Sequence, residues 1–161
     1  MSRGENKSKE LLEELKEYKR MLEQHSKKLE EILEKLKSLL AKYNSLFLGI
    51  NSLVKSFYSR FVWEDIRAEI TSEGGRVIRR ERDARINDIR VDFLVETLRK
   101  VYIVDVRIEP KISDVGELLA KTSILSRKYP GKLIIPILAG AVIEENIENY
   151  AKSRGIRVYK L

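Results

Sequence analysis

A seven-residue hydrophobic repeat runs through the first third of the chain. Two apolar series offset by three positions begin just after Lys9, and the positions between them are mostly Lys and Glu. One series contains Leu15, Leu22, Leu29, Leu36, Tyr43 and Ile50. The other contains Leu11, Tyr18, His25, Ile32, Leu39, Leu46 and Leu53. This pattern predicts a long coiled-coil helix with one apolar stripe. Because a lone helix cannot bury such a stripe, residues 9–48 are expected to pair with further copies of the chain, and residues 1–48 to form an oligomerisation helix.

Two runs of alternating apolar and polar residues, at 90–96 and 101–109, predict a β-hairpin. If Glu96 faces Val101, Asp92 lies directly opposite Asp105 on the same face of the sheet. Opposed carboxylates repel each other unless a cation or a proton lies between them, so this pair is a candidate site. The alternate positions are apolar and predict a core face formed by Val91, Phe93, Val95, Tyr102, Val104, Val106 and Ile108.

The remaining patterns predict an α/β domain over residues 49–161 with a mixed sheet. Its first helix is either a separate element or a continuation of the coiled-coil helix past Gly49, and Gly74-Gly75 ends it. Ser113 and Asp114 are candidate caps for the helix that follows Pro110. The predicted elements are a helix at 50–73, a strand and loop within 76–90, the two hairpin strands, a helix at 113–129, a strand at 132–139, a helix at 143–151 and a strand at 156–161.

The amino-acid composition limits which catalytic and metal-binding groups the chain can have. The 161 residues include no Cys and one His, which excludes a disulfide framework, a thiolate nucleophile and a His-rich metal site. A metal would have to be held by carboxylate oxygens, which suit Mg²⁺, Mn²⁺ or Ca²⁺. No apolar run is long enough to span a membrane, so a soluble, cytoplasmic protein is expected. Abundant Lys, Glu and Arg also suit the protein of a thermophile.

Positive charge is concentrated after the first domain helix. The chain carries a formal net charge of +7, and residues 76–90 hold six arginines against three acids. Two interpretations stay open, namely contact with a nucleic-acid phosphate backbone and a solvated strand with salt bridges. The candidate nucleic-acid contacts are Arg76, Arg79, Arg80, Arg82, Arg85, Arg90 and Lys121.

The order of elements, with Asp92 opening one strand and Asp105-Val106-Arg107 within the next, resembles the PD-(D/E)XK nuclease superfamily. The similarity is to an archaeal branch that joins an N-terminal coiled coil to a small nuclease-like domain, and it covers about residues 50–161. It implies a restriction-endonuclease-like αβββαβ(αβ) domain with a mixed sheet. It also implies DNA as a partner and Mg²⁺ or Mn²⁺ as the cofactor of an active site.

Carried over by position, the resemblance makes Asp92 and Asp105 the metal-binding carboxylates. Arg107 stands where the family has a catalytic lysine. Glu64 is the candidate for a further catalytic acid from the first domain helix, with Glu69 as second choice. An arginine cannot accept a proton from water, because its pKa stays above about 12. Lys111 and Lys121 are the two candidates for a replacement lysine.

Three functions follow from these features. The first is a metal-dependent DNA endonuclease that is oligomeric through its coiled coil. The second is a catalytically inactive module that binds DNA through the arginine-rich segment. The third is an adaptor or assembly protein whose functional surface is the long helix.

Overall fold

The computed structural model describes residues 2–160, which divide into two compact units between Leu48 and Gly49. In chain order the elements are α1 Arg3–Ser72, β1 Val77–Ile86, β2 Ile89–Thr97, β3 Lys100–Arg107, α2 Ile112–Lys128, β4 Leu133–Gly140, α3 Glu145–Ser153 and β5 Arg157–Lys160. The long N-terminal helix and the mixed α/β domain predicted from the sequence are both confirmed. Within residues 2–160, no helix is both long and apolar enough to cross a membrane.

Helix α1 runs without a break through Gly49, so the first domain helix continues the predicted coiled-coil helix. Residues 2–50 are all exposed, including the leucines of both heptad series. Leu22 and Leu29, for example, keep 67% and 66% of their surface accessible. The apolar stripe of the first unit is therefore uncovered in the single chain. Its role as an oligomer contact stays a prediction.

The second unit is built on one five-stranded sheet with the order β1-β2-β3-β4-β5. Strands β1, β2 and β3 pair antiparallel, whereas β3, β4 and β5 pair parallel. The parallel pairs require crossover connections, which α2 and α3 provide. This arrangement puts strand β3, which carries Asp105, at the centre of the sheet, where polar side chains are hardest to solvate.

The hairpin of β2 and β3 has the predicted register, with Glu96 opposite Val101 and Phe93 opposite Val104. The turn of this hairpin lacks the usual Asn-Gly sequence, and hydrogen bonds to the Thr97 side chain stabilise it instead. The Thr97 hydroxyl oxygen accepts hydrogen bonds from the Arg99 and Lys100 backbone N–H groups at 3.3 and 2.9 Å. A threonine side chain thereby organises the turn.

The segment 76–90 was predicted as a strand and a loop, but most of it is strand. Strand β1 extends to Ile86 and pairs with β2 up to this last residue, which lies opposite Ile89. The two-residue turn between them contains Asn87, which has a φ of 54°. Asn tolerates the left-handed region better than other residues that have a Cβ, so this position suits the tight turn.

Both faces of the sheet are covered, where the hairpin pattern indicated a single core face. One core cluster lies under α1, where Tyr58, Val62 and Ile66 pack on strand residues that include Phe93 and Val104. The other lies under α2 and α3 and includes Leu94, Val101, Ile103, Val115 and Leu118.

The placement of Val91 on the face of Phe93 was wrong, because Val91 belongs to the cluster under α2 and α3. Asp83, opposite the Asp92 region of β2, has a φ of 48°, a value outside the extended region of a regular strand. The strand pair therefore departs from regular alternation next to Asp92. This departure puts Asp92 at a transition between the two faces.

Candidate functional site

Asp92 and Asp105, called here the carboxylate pair, meet at the end of the paired part of the hairpin. The Asp92 backbone N–H donates to Asp105 Oδ1 at 3.4 Å, so the predicted proximity is confirmed. Asp92 Oδ2 accepts a hydrogen bond from the Val106 backbone N–H at 2.8 Å. Both side chains are buried, with 8% and 5% of their surfaces exposed. Two buried carboxylates this close require compensation by positive charge.

Two cations compensate Asp92. Lys55, from α1, donates to Asp92 Oδ1 at 2.8 Å. Arg107, from β3, donates from Nη1 to Asp92 Oδ2 at 3.3 Å. The Arg107 Nε–H also donates to Asp114 Oδ1 at 3.0 Å, and the second oxygen of Asp114 accepts the backbone N–H of Lys111 at the start of α2. Lys111 rather than Ser113 is therefore the N-cap residue of α2, and Asp114 completes a capping box from the third helical position while it fixes the guanidinium of Arg107.

A lysine from α2 compensates Asp105. Lys121 Nζ lies 2.6 Å from Asp105 Oδ2 and 3.1 Å from Glu117 one turn earlier on the helix. Only 13% of the Lys121 side chain is exposed. Of the two candidate replacement lysines, the structure brings Lys121 to the pair. Lys111 instead lies at the exposed start of α2, and no hydrogen bond or ion pair joins its ammonium to the pair.

Electrostatics within the cluster follow from burial and from these contacts. Burial raises the pKa of Asp105 above its ordinary value, Lys121 opposes this, and the neighbouring charge of Asp92 adds to it. Burial lowers the pKa of Lys121, but the hydrogen bond and charge of Asp105 outweigh it, so the net pKa is raised. The pKa of Arg107 is likewise raised, because Asp105, Asp114 and Asp92 outweigh its burial. Lysine and arginine therefore stay protonated at neutral pH.

The donor set does not fit a resident Mg²⁺ or Mn²⁺. All four oxygens of the carboxylate pair already accept hydrogen bonds from protein groups. Lys55, Arg107 and Lys121 hold the carboxylate pair in ion pairs, and Arg107 and Lys121 are shared with Asp114 and Glu117. Among residues 2–160, no group of three or more acidic, His or Cys side chains is arranged to hold a metal. A divalent cation would have to displace lysines from both carboxylates.

Glu64, predicted as a catalytic acid, does not join the carboxylate pair. It lies nine residues after Lys55 on α1, a distance of about 13 Å along the helix axis. Its side chain is exposed and lines a separate pocket with Arg80 and Arg82. Nine residues correspond to about 2.5 helical turns, so the side chain of Glu64 points to the side of α1 opposite that of Lys55.

Glu69, the second choice, also lies elsewhere, in an ion cluster at the other end of the sheet. Its carboxylate accepts hydrogen bonds from Lys100, Tyr102 and Arg157 at 3.1, 3.0 and 2.6 Å. The hydrogen bond from Arg157, followed by those from Lys100 and Tyr102, lowers the pKa of Glu69 to about 2 although its burial acts in the other direction. This cluster joins α1 to β3 and β5, so its role is structural.

The arginines of residues 76–90 divide into two groups. Arg79 and Arg90 form ion pairs with Glu81 and Asp83, as expected for a strand with salt bridges. The other four make no ion pair within the described chain: Arg76, Arg80, Arg82 and Arg85. The salt-bridged interpretation therefore applies to Arg79 and Arg90, and contact of the other four with nucleic acid stays a prediction.

Lys55 is the site residue that the sequence pattern missed. It lies at a position of α1 between apolar residues, and nothing in the local sequence distinguishes it from the other lysines of the helix. Its partner Asp92 is 37 residues away. Only the packing of α1 against the sheet identifies the contact.

The chain matches no family model and no curated protein in sequence. Among solved structures, a repair endonuclease from Pyrococcus abyssi is similar over 65% of this chain and 45% of its own, with 18% identity and a TM-score of 0.49. The EndoMS–dsDNA2 complex is similar over 54% of this chain and 36% of its own, with 17% identity and a TM-score of 0.44. The chain thus spans less than half the length of either structure.

Proposed function

We propose that this protein binds DNA through the phosphate backbone and does not hydrolyse it. The observation that carries the proposal is the neutralised carboxylate pair. Lys55, Arg107 and Lys121 place three positive charges on two buried carboxylates. With all four oxygens of the pair engaged by protein donors, none is free for the divalent cation that hydrolysis of a phosphodiester would need.

Exposed guanidiniums on β1, and that of Arg76 just before it, support DNA as the ligand. Arg76, Arg80, Arg82 and Arg85 keep their donors available, because no acid of the described chain pairs with them. Guanidinium groups bind phosphate oxygens in a bidentate manner, and such contacts position a nucleic acid without reading its sequence. The proposed partner is therefore a DNA backbone rather than a particular sequence, and the proposed location is the cytoplasm.

Salt dependence tests the DNA-binding proposal. Affinity for a short labelled duplex, measured by fluorescence anisotropy in EDTA, should fall steeply as NaCl increases, since each neutralised phosphate contributes about −0.9 to the slope of log K against log salt. Replacing Arg76→Gln and Arg85→Gln together should reduce that slope by about 2 units. The control Arg127→Gln removes an exposed arginine from α2 and should leave the slope unchanged. Absence of binding at low salt would contradict the proposal.

Self-association through α1 is the second part of the proposal. The exposed heptad stripe of the first unit supports it, because apolar surface of this extent on a monomer marks an interaction surface. Copies of this chain are the proposed occupant, since an a/d repeat pairs with the same repeat in another helix. Two or more DNA-binding domains on one coiled coil would also strengthen binding to one duplex.

The oligomer prediction is tested with Leu22→Glu and Leu29→Glu together. Two charges in the apolar seam should prevent helix pairing, because they would be buried without partners. Light scattering should give a multiple of the 18.8 kDa chain for the wild type and about 18.8 kDa for the variant. The matched control carries Gln24→Glu and Ser38→Glu, outside both heptad series. A wild type that scatters as a single chain would overturn this part of the proposal.

Metal-dependent hydrolysis is a second candidate function, and one contact favours it. Lys121 Nζ lies 2.6 Å from Asp105 Oδ2, so an ammonium stands beside the carboxylate although Arg107 has replaced the family's lysine. Lys55 and Arg107 count against this function, because they occupy both oxygens of Asp92.

A further inference from the structure

A polar pocket lies between α1 and β1, outside the carboxylate pair. It has a volume of about 290 Å³. Its lining comes from three consecutive parts of the fold: Ser59, Arg60, Trp63 and Glu64 of α1, Arg80 and Arg82 of β1, and Phe93 of β2. No predicted function used Arg60, Trp63 or the convergence of these two elements.

The pocket carries a net charge of +2, because three guanidiniums face it with one carboxylate. Neutral partners hold two of the arginines in place. Arg82 Nη1 donates to Ser56 Oγ at 3.5 Å, and the Arg80 guanidinium lies 4.7 Å from the centre of the Trp63 ring. Arg60 makes no ion pair with an acid of the described residues. Three guanidiniums are thus gathered without an internal counter-ion for each.

We propose that this pocket binds the terminal phosphomonoester of a DNA strand. A phosphomonoester carries nearly two negative charges at neutral pH, which matches the pocket, whereas an internal phosphodiester carries one. Three arginine forks can satisfy the three terminal oxygens through charge-assisted hydrogen bonds. A concave pocket also favours a chain end over a continuous backbone, which would have to pass through it.

The pocket lies next to the carboxylate pair. Ser59 follows Lys55 by four residues, about 6 Å along α1, and Phe93 follows Asp92 directly. The pocket and Lys55 therefore lie close together along α1. The inference rests on the proposed DNA binding and adds to it that a strand end is the part recognised.

Trp63 provides the measurement, because it is the single tryptophan of the chain and lines the pocket. The full-length protein is titrated with three versions of one short oligonucleotide, which carry a 5′-phosphate, a 3′-phosphate or hydroxyl groups at both ends. We expect a change in Trp63 emission and an affinity about tenfold higher for one of the phosphorylated versions than for the hydroxyl version. Which version binds tighter identifies the strand end.

Variants assign the effect to the pocket. Arg60→Gln and Arg82→Gln should each abolish the preference for the phosphorylated oligonucleotide while circular dichroism shows an unchanged fold, and Arg127→Gln on α2 should retain it. Equal affinity for all three oligonucleotides would overturn the pocket and leave DNA binding intact. If none of them binds at low salt, both proposals fail.

Discussion

Replacing Lys121→Met should destabilise the domain by about 3–5 kcal/mol, the largest effect we expect from a single side chain. The substitution leaves Asp105 as an uncompensated carboxylate on the central strand, with 5% of its side chain exposed. Burial already raises the pKa of Asp105, and the hydrogen bond and charge of Lys121 oppose this. Chemical denaturation at neutral pH measures the loss.

Removing both partners should restore most of that stability. In the double variant Asp105→Leu with Lys121→Met, neither charge has to be desolvated, and apolar groups of similar size replace the pair. Lys128→Met, on the exposed last turn of the same helix, is the matched control and should change stability by less than about 0.5 kcal/mol. A Lys121→Met variant as stable as its control would show that the ion pair does not hold Asp105 in its charged form.

Replacing Glu69→Gln should remove about 1–2 kcal/mol of stability at neutral pH, because solvent screens part of the interaction of this partly exposed carboxylate. The direction follows from the pKa of Glu69, which its hydrogen bonds, above all that from Arg157, lower from 4.5 to about 2. Because the folded-state pKa is lowered, this contribution is complete above about pH 4.5 and is lost as the pH falls towards 2. The difference between wild type and variant should therefore shrink over that interval.

Unfolding by urea at pH 7 and at pH 3 measures this dependence. Glu64→Gln, on the same helix but exposed, is the control and should give equal stability to the wild type at both values. A constant difference between Glu69→Gln and wild type from pH 7 to pH 3 would contradict the assigned ionisation.

Periodicity explains why the order of elements could be predicted. A seven-residue stripe indicates a helix whatever its partner is, and the alternation of β2 and β3 fixed the register that brings Asp92 to Asp105. The turn after Ile86 was harder to predict than the strands, because an Asn with positive φ is one of several ways to reverse a chain.

The charge partners could not be read in the same way. Lys55 reaches the carboxylate pair from α1, and Lys121 reaches it from α2. They are 37 and 16 residues away along the chain from their partners Asp92 and Asp105. Neither contact leaves a local pattern, since a lysine on a helix surface has the same neighbours in sequence whether it is solvated or paired. For the same reason, Glu64 and Glu69 could not be assigned from spacing. The sequence thus predicted the carboxylates and left open what neutralises them.

We propose that the α/β domain binds DNA without cleaving it. The most direct measurement incubates the full-length protein with supercoiled plasmid and Mn²⁺ and follows both binding and the topology of the plasmid on one gel. We predict retarded plasmid that remains supercoiled after the protein is removed, for the wild type and for Asp92→Asn alike. Nicked or linear plasmid with the wild type, and intact plasmid with Asp92→Asn, would contradict the claim and establish metal-dependent hydrolysis.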